Sequence, residues 1–412
     1  MKQPLGHTAR RPTAGGHARM GELAPSATTG NTLLALILML CPLLYITTTG
    51  MLAPLLVVLA AEFDSTVPAM GQLAAATSLA WAPAALLVSP LSDRVGRTPL
   101  IMVGLVGLGV STFAASFAQS VPALFALRLL GGLAGGALGP SVNAAVVDYF
   151  PPARRGQALG LVTAGFSLSA VVGVPGVAAI AGALGWRESF RLMAVLLVLL
   201  ALVTGWLLPH GRQQVAAGEG HVVAYVHLLR RPNARWLLVA NLAERIAATA
   251  LVTYLPAYLT KRNGLSLGTV GLFLAIIAFG SLGGTLLGGT LADRPGRPRT
   301  FALSQTGAAV LALPLLIAAP GLAVSAALGI AQAFANNLSR PSYMWMVGQI
   351  STDRRGAMMG LNALTNQSGI ILGSALGGMA LATGSYTALA ALVTCFGAAA
   401  AIIGVIWLKE EA

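Results

Sequence analysis

One carboxylate and a proline-flanked arginine stand deep inside apolar stretches of this chain, where an ordinary core would hold neither. Glu244 belongs to NLAERIAATALVTYLPAYL (Asn241 to Leu259) and follows Trp236 by eight positions, about 12 Å along a helix at ~1.5 Å per residue. Arg340 belongs to NNLSRPSY (Asn336 to Tyr343), ten positions before Ile350, roughly 15 Å from that end of the run. A charge at the centre of a bilayer costs about 2.5–3.5 kcal/mol even on the lenient insertion scale, so both should face protein or water and mark function. A carboxylate that loses solvation becomes easier to protonate, which a proton-coupling group requires, and Glu244 is the candidate for that role. Its neighbour Arg245 points some 100° away around the helix, so the spacing gives no i,i+4 pair. The alternatives are an ion pair from another helix, a cytoplasmic-side residue reached by water, or a network closed with Arg340.

Arg340 offers a planar fork of donors to a carboxylate, a phosphate or a polarised oxygen. Around it Asn336 and Asn337 offer amides, Tyr343 an aromatic surface, and Pro341 a kink. Asn241, Asn362 and Asn366 (with Thr365), and Tyr45 (with Thr48 and Thr49), extend the set of candidate substrate contacts. Hydroxyls and amides also hold membrane helices together, so none of these is specific alone. Arg128, in RLLGGLAGG, is expected to face the bundle; the alternative is a snorkelling residue, since only about seven positions (~10 Å) separate it from the external loop.

The elements that position these groups follow from composition. Of 412 residues 56% are hydrophobic and 9% charged, and the mean hydropathy is +0.79, so lipid must cover most of the surface. Runs long enough to cross a ~30 Å core fall near 32–58, 70–91, 99–119, 122–147, 157–184, 190–208, 236–259, 266–291, 301–319, 322–350, 357–383 and 386–408. The expected architecture is all-α: twelve transmembrane helices in two six-helix halves, 31–208 and 236–412. A polar cytoplasmic tail, 1–30, reads as disordered. The linker, 209–235, contains HVVAYVHLLRR, which can lie as a short helix in the interface.

The halves are copies. Asp93-Arg94-x-Gly96-Arg97 returns as Asp293-Arg294-x-Gly296-Arg297, 200 positions later (293 − 93), and Arg154-Arg155-Gly156 with Gly160 returns as Arg354-Arg355-Gly356 with Gly360 at the same offset. Two unrelated marks at one offset point to a duplicated and fused half-protein.

The net charge of +13 would suggest nucleic acid in a soluble protein. Here the basic residues are sorted by loop. With both termini cytoplasmic, Arg94, Arg97, Arg154, Arg155, Arg212, Arg230, Arg231, Arg235, Arg294, Arg297, Arg299, Arg354 and Arg355 stay inside, and only Arg187, Arg191, Lys261 and Arg262 face out. That is the positive-inside asymmetry of a multi-pass protein of the cell (inner) membrane, with lipid headgroups and not nucleic acid as the basic partner. Cys41 and Cys395 lie in apolar runs at opposite ends, and His7, His17, His210, His221 and His227 lie in tail or linker. No metal site, catalytic constellation, cofactor or phosphate loop is expected, and the chain does not read as an enzyme.

With those features together, the chain resembles the major facilitator superfamily, whose loop between helices two and three has the form G-x-x-x-D-R-x-G-R. Ser89 replaces the first glycine in the first copy; Gly289 keeps it in the second. The resemblance implies a conformational latch at Asp93, Arg94, Gly96, Arg97, Asp293, Arg294, Gly296 and Arg297. A carboxylate there can accept from N–H groups at a neighbouring helix start, while Gly96 permits a tight turn. Helix five carries Gly165 and then Gly173-Val174-Pro175-Gly176, similar to the motif of the twelve-span drug:proton antiporters, and a proline flanked by glycines suits a hinge. The second copy reads Gly373-Ser374-Ala375-Leu376. The resemblance implies proton-coupled efflux, of the multidrug-resistance kind, of a small apolar or amphipathic compound by a monomer using alternating access. The alternatives are uptake or exchange of a small organic anion, which Arg128, Arg245 and Arg340 would suit, and a non-transporting membrane sensor.

Overall fold

The structure, a computed structural model, describes residues 27–209, 221–293, 295–318, 321–350 and 355–408, and among them every regular element is helical. Most of the expected tail and Arg294 lie outside that set, as do the side chains of Asp93 and Arg94. Among the described residues the helices form twelve rods. In the first half these are α1 (Ala27–Gly50) continued by α2 (Leu52–Glu62), α3 (Val67–Val95), α4 (Arg97–Ala115), α5 (Val121–Gly135) continued by α6 (Leu138–Tyr149), α7 (Pro152–Leu168) continued through a π-helical turn (Ser169–Gly173) into α8 (Val174–Leu184), and α9 (Trp186–Leu207). A short helix, α10 (His221–Arg230), occupies the basic apolar stretch before the second half. There the rods are α11 (Pro232–Asn263), α12 (Leu267–Leu291), α13 (Arg297–Ile317), α14 (Leu322–Ile350), α15 (Arg355–Ala382) and α16 (Tyr386–Ile406).

Among the described residues, nine of these rods are long and apolar enough to cross a membrane. The other three, α3, α14 and α15, have 29, 29 and 28 residues, about 42 Å or more at ~1.5 Å per residue. Trp206, Leu87 and Val405 expose 85%, 73% and 71% of their surface, which only lipid makes affordable.

The duplication is written into the backbone. Turns at positive φ recur at matching places: Asp64 (46°) and Gly264 (64°), Gly96 (101°) and Gly296 (86°), Gly185 (92°) and Gly384 (82°). Gly96 and Gly296 cap the third and ninth rods, so the turn after each signature loop needs a residue without Cβ. Pairing repeats as well, because α1 lies on α7 as α11 lies on α15, and α4 on α9 as α13 on α16.

The halves meet along α2 with α11, α3 with α15, and α8 with α12. The inner side is the one at which α1 begins and α16 ends. Toward the outer side one hydrophobic cluster joins the halves, running from Met51, Leu55 and Val177 to Tyr254, Phe273 and Leu389. Toward the inner side there are two clusters, one around Leu38, Leu105 and Val142 and one around Leu237, Phe301 and Val347. Apolar packing therefore joins the halves toward the outer side, whereas toward the inner side each half keeps a buried apolar cluster of its own. At the seal Gly71 and Gly378 make room for Tyr254, whose hydroxyl lies 2.0 Å and 2.6 Å from where their Cβ atoms would sit. Tyr254 donates to the Ser374 carbonyl at 2.8 Å, and Gln72 of the other half donates to the same oxygen at 3.4 Å.

Candidate functional site

Asn241 and Glu244 share a face of α11 at i,i+3, and Asn336 and Arg340 share a face of α14 at i,i+4. The packing of α11, α14 and α15 brings these faces together around Glu244, which is 1% exposed. Asn336 Nδ2 donates to Glu244 Oε1 at 3.2 Å, and Arg340 Nη1 donates to Glu244 Oε2 at 3.4 Å and to Asn241 Oδ1 at 3.2 Å. Asn241 in turn donates to Asn366 of α15 at 3.1 Å.

Arg245 corrects the helical-wheel expectation. Its Nε lies 2.5 Å from Glu244 Oε2, and its Nη2 bonds Oε1, a two-pronged pair between sequence neighbours. The Cα–Cβ directions do diverge by some 100°, but an arginine stem is long enough to curl back around the helix, and a desolvated carboxylate rewards it for doing so. The centre thus holds one carboxylate and two guanidiniums, a net charge of +1. Both arginine side chains remain about one-fifth exposed (22% and 21%), so the positive side of the cluster is reachable.

Other candidates divide into support and bystander. Tyr343 is 0% exposed; its hydroxyl donates to Asn362 at 2.6 Å, and its ring lies 5.6 Å from the Arg340 guanidinium. It is a floor beneath Arg340, not the open aromatic surface expected, because its ring is wholly buried and its hydroxyl is taken up by Asn362. Asn337 turns back to the Ala333 carbonyl at 2.9 Å and Thr365 to Leu361 at 2.8 Å. Gln305, unsuspected from sequence, is fully buried and donates to Ser339, which bonds the Asn336 carbonyl. Its rod, α13, also carries Ser304 and Thr306 on either side of it, so nothing in the sequence set it apart.

In the first half Arg128 is 3% exposed. Its guanidinium lies 4.5 Å from the Phe190 ring centroid and donates to the Thr48 carbonyl at 3.4 Å. It faces the bundle, not the lipid. Nε and Nη2 are buried without a hydrogen-bond partner among the described residues. Tyr45 sits between Trp81 and Phe166, with ring centroids 5.5 Å and 6.0 Å away.

The signature loops and the fifth rod complete the set. Arg97 pairs with Asp148 of α6 at 2.8 Å, whereas Arg297 pairs within its own loop with Asp293 at 3.0 Å and donates to the Gly289 carbonyl at 3.0 Å. Just before Pro175 the backbone widens into the π-helical turn, as expected where a proline withholds its N–H. A Cβ on Gly173 would lie 2.0 Å from Thr47 Oγ1, and one on Gly165 2.3 Å from the Met39 carbonyl, so both glycines set the approach of α1; a Cβ on Gly176 would meet nothing within 4 Å. Among the described residues no group of three His, Cys, Asp or Glu could hold a metal ion.

Known proteins match this arrangement in sequence and in fold. A probable sulfoacetate transporter of Cupriavidus necator is 28% identical over 255 residues, 57% of this chain and 58% of its own. An efflux pump of the same superfamily from Mycolicibacterium smegmatis is 31% identical over 226 residues, 52% of this chain and 51% of its own. A crystal structure of a bacterial homologue of the human lysosomal transporter Spinster, inward-facing and unoccupied, superposes with a TM-score of 0.73 at 17% identity, covering 93% of this chain and 95% of that one. The model of the Major Facilitator Superfamily matches residues 38–337 and 237–412. With twelve helical rods in two copied halves around a buried polar centre, the chain belongs to the Major Facilitator Superfamily.

Proposed function

We propose that this protein is a secondary transporter that carries a small organic anion together with a proton by alternating access. One observation carries the reading: at mid-depth a single carboxylate, Glu244, is outnumbered by two guanidiniums, Arg245 and Arg340, that remain partly open. A buried excess of positive charge is costly until an anion joins it. The acid group of the substrate takes the forks of Arg340 and Arg245, and Glu244, left without counter-charges in a desolvated place, takes up a proton. The load of one anion and one proton is neutral, so the centre keeps its net charge of +1 as the halves rock. Asn241, Asn336 and Asn366 orient the substrate, Arg128 supplies a further cation in the other half, and Gly96, Arg97, Gly296 and Arg297 set the inner latch with Asp93, Arg94, Asp293 and Arg294. Residues 31–208 and 236–412 are the moving bodies, with 209–235 between them. The charge asymmetry supports cytoplasmic termini in the inner membrane, and the chain works as a monomer.

Proton-driven efflux of an apolar compound is the second reading, favoured by Gly173-Val174-Pro175-Gly176 with its π-helical turn and by the efflux-pump relative. Purified protein in vesicles with an internal pH dye separates the two. Monocarboxylates and monosulfonates added outside should acidify the lumen and accumulate, while neutral and cationic compounds should not. Alkalinisation of an acid-loaded lumen by neutral or cationic compounds, with no response to any anion, would overturn the anion reading.

A further inference from the structure

The duplication offers a view of the site from its missing half. At the 200-residue offset, Arg245 and Asn366, which belong to the polar cluster, correspond to Tyr45 and Phe166. Those two rings also meet, edge to face at 6.0 Å, with Trp81 joining Tyr45 at 5.5 Å. Depth agrees. Counted inward from the outer rod ends at Glu62, Leu184, Asn263 and Leu322, Tyr45, Phe166, Glu244 and Arg340 are 17, 18, 19 and 18 residues deep, about 26–28 Å at ~1.5 Å per residue. Phe166 is 39% exposed. Trp81 is held by Gly135, where a Cβ would lie 2.3 Å from the indole.

We infer that the transported anion has an aromatic body, its acid group on Arg340 and Arg245 and its ring against Phe166, which the buried Tyr45 and its neighbour Trp81 support from behind. This rests on the anion reading of the same centre and adds the half of the ligand that reading leaves open. The two copies have diverged into complementary walls at one depth, one cationic and one aromatic, so the molecule that satisfies both is amphipathic and planar, an aryl carboxylate or sulfonate. Edge and face contacts between rings favour a flat π-system over an aliphatic chain of like size. Phe166 is then a specificity-determining residue, because it is the open member of the trio.

Binding of three probes to purified protein, read by tryptophan fluorescence and confirmed by calorimetry, tests the proposal: benzoate, acetate and benzamide. Wild type should bind benzoate at least about tenfold more tightly than acetate, as expected for burying a phenyl ring, and benzamide more weakly than benzoate by a similar factor. F166A should collapse the benzoate-to-acetate ratio several-fold while leaving acetate binding in place; Val405→Ala, on the outward-facing surface of α16 (71% exposed) and outside the site, should leave the ratio intact and reports on folding. Equal binding of acetate and benzoate would overturn the aromatic wall and spare the anion reading. Equal binding of benzamide and benzoate would overturn the anion reading instead. No binding of benzoate, or a wild-type ratio in F166A, would overturn the proposal.

Discussion

The fifth and eleventh rods began as one sequence and now behave differently. The eleventh, α15, runs unbroken over 28 residues, whereas the fifth is divided by a π-helical turn between α7 and α8. Gly373-Ser374-Ala375-Leu376 stands in one and Gly173-Val174-Pro175-Gly176 in the other, and only the proline lacks the N–H that a continuous ladder needs. The eleventh rod instead carries polar partners of the charged centre, Asn362 and Asn366. The copies have divided the work: the eleventh rod stays unbroken and supplies polar partners to the charged centre, and the fifth keeps the bend. That division sets where each substitution should act.

The charged side of the comparison should break first and furthest. Glu244→Gln keeps the shape of the carboxylate but leaves two guanidiniums facing each other without a counter-charge, and breaking one side of a buried pair typically costs about 3–5 kcal/mol. Transport against a gradient, driven by an imposed pH difference in vesicles, should be lost. Downhill exchange of substrate should remain measurable, since Arg340 and Arg245 can still hold the anion. Wild-type accumulation by the Gln variant would move proton coupling elsewhere, to Asp148 or Asp93 at the inner mouth.

The bent rod should respond in rate and not in affinity. Pro175→Ala gives the fifth rod the residue of the eleventh and restores the missing donor. If the bend is where the first half flexes, turnover should fall on the order of tenfold, equal to ~1.4 kcal/mol of barrier, with substrate affinity near wild type. Equilibrium binding and exchange rate on the same preparation check both parts. A variant that loses affinity and keeps its rate would make the turn a piece of binding-site geometry.

Much of this division is legible in the residues alone, and what is not has a physical reason. Asp93 and Asp293, with Arg154 and Arg354, announce the duplication, and the cost of charge in lipid singles out Glu244 and Arg340. Their union does not follow from spacing, because periodicity gives the direction of Cβ and not the reach of a long side chain; Arg245 curls back to its neighbour for that reason. Tyr343 misleads as an open surface, since an aromatic residue in a polar stretch reads the same whether it lines a cavity or supports what does. Phe166 gives no signal, because a phenylalanine in a membrane helix is expected anywhere until it is set against Asn366. The outer seal is invisible for a similar reason. Gly71 and Gly378 look like ordinary membrane glycines, and their purpose emerges only when Tyr254 is found between them.

That seal gives the smallest effect and the finest measure of how evenly the halves are poised. Tyr254 and Gln72 both donate to the Ser374 carbonyl, one from within the second half and one across from the first. Tyr254→Phe removes a single hydroxyl while leaving the ring in its glycine slot. A neutral hydrogen bond is worth about 1 kcal/mol net, so the outward-open population should rise about fivefold. Labelling from the outer side of a Thr48→Cys probe, in a background without Cys41 and Cys395, by a membrane-impermeant thiol reagent reads that population as a rate. A fivefold acceleration means the hydroxyl belongs to the lock. An unchanged rate means that ring-in-groove packing between Gly71 and Gly378 carries the closure by itself, and that the first half's Gln72 is enough to satisfy the carbonyl when the tyrosine no longer does.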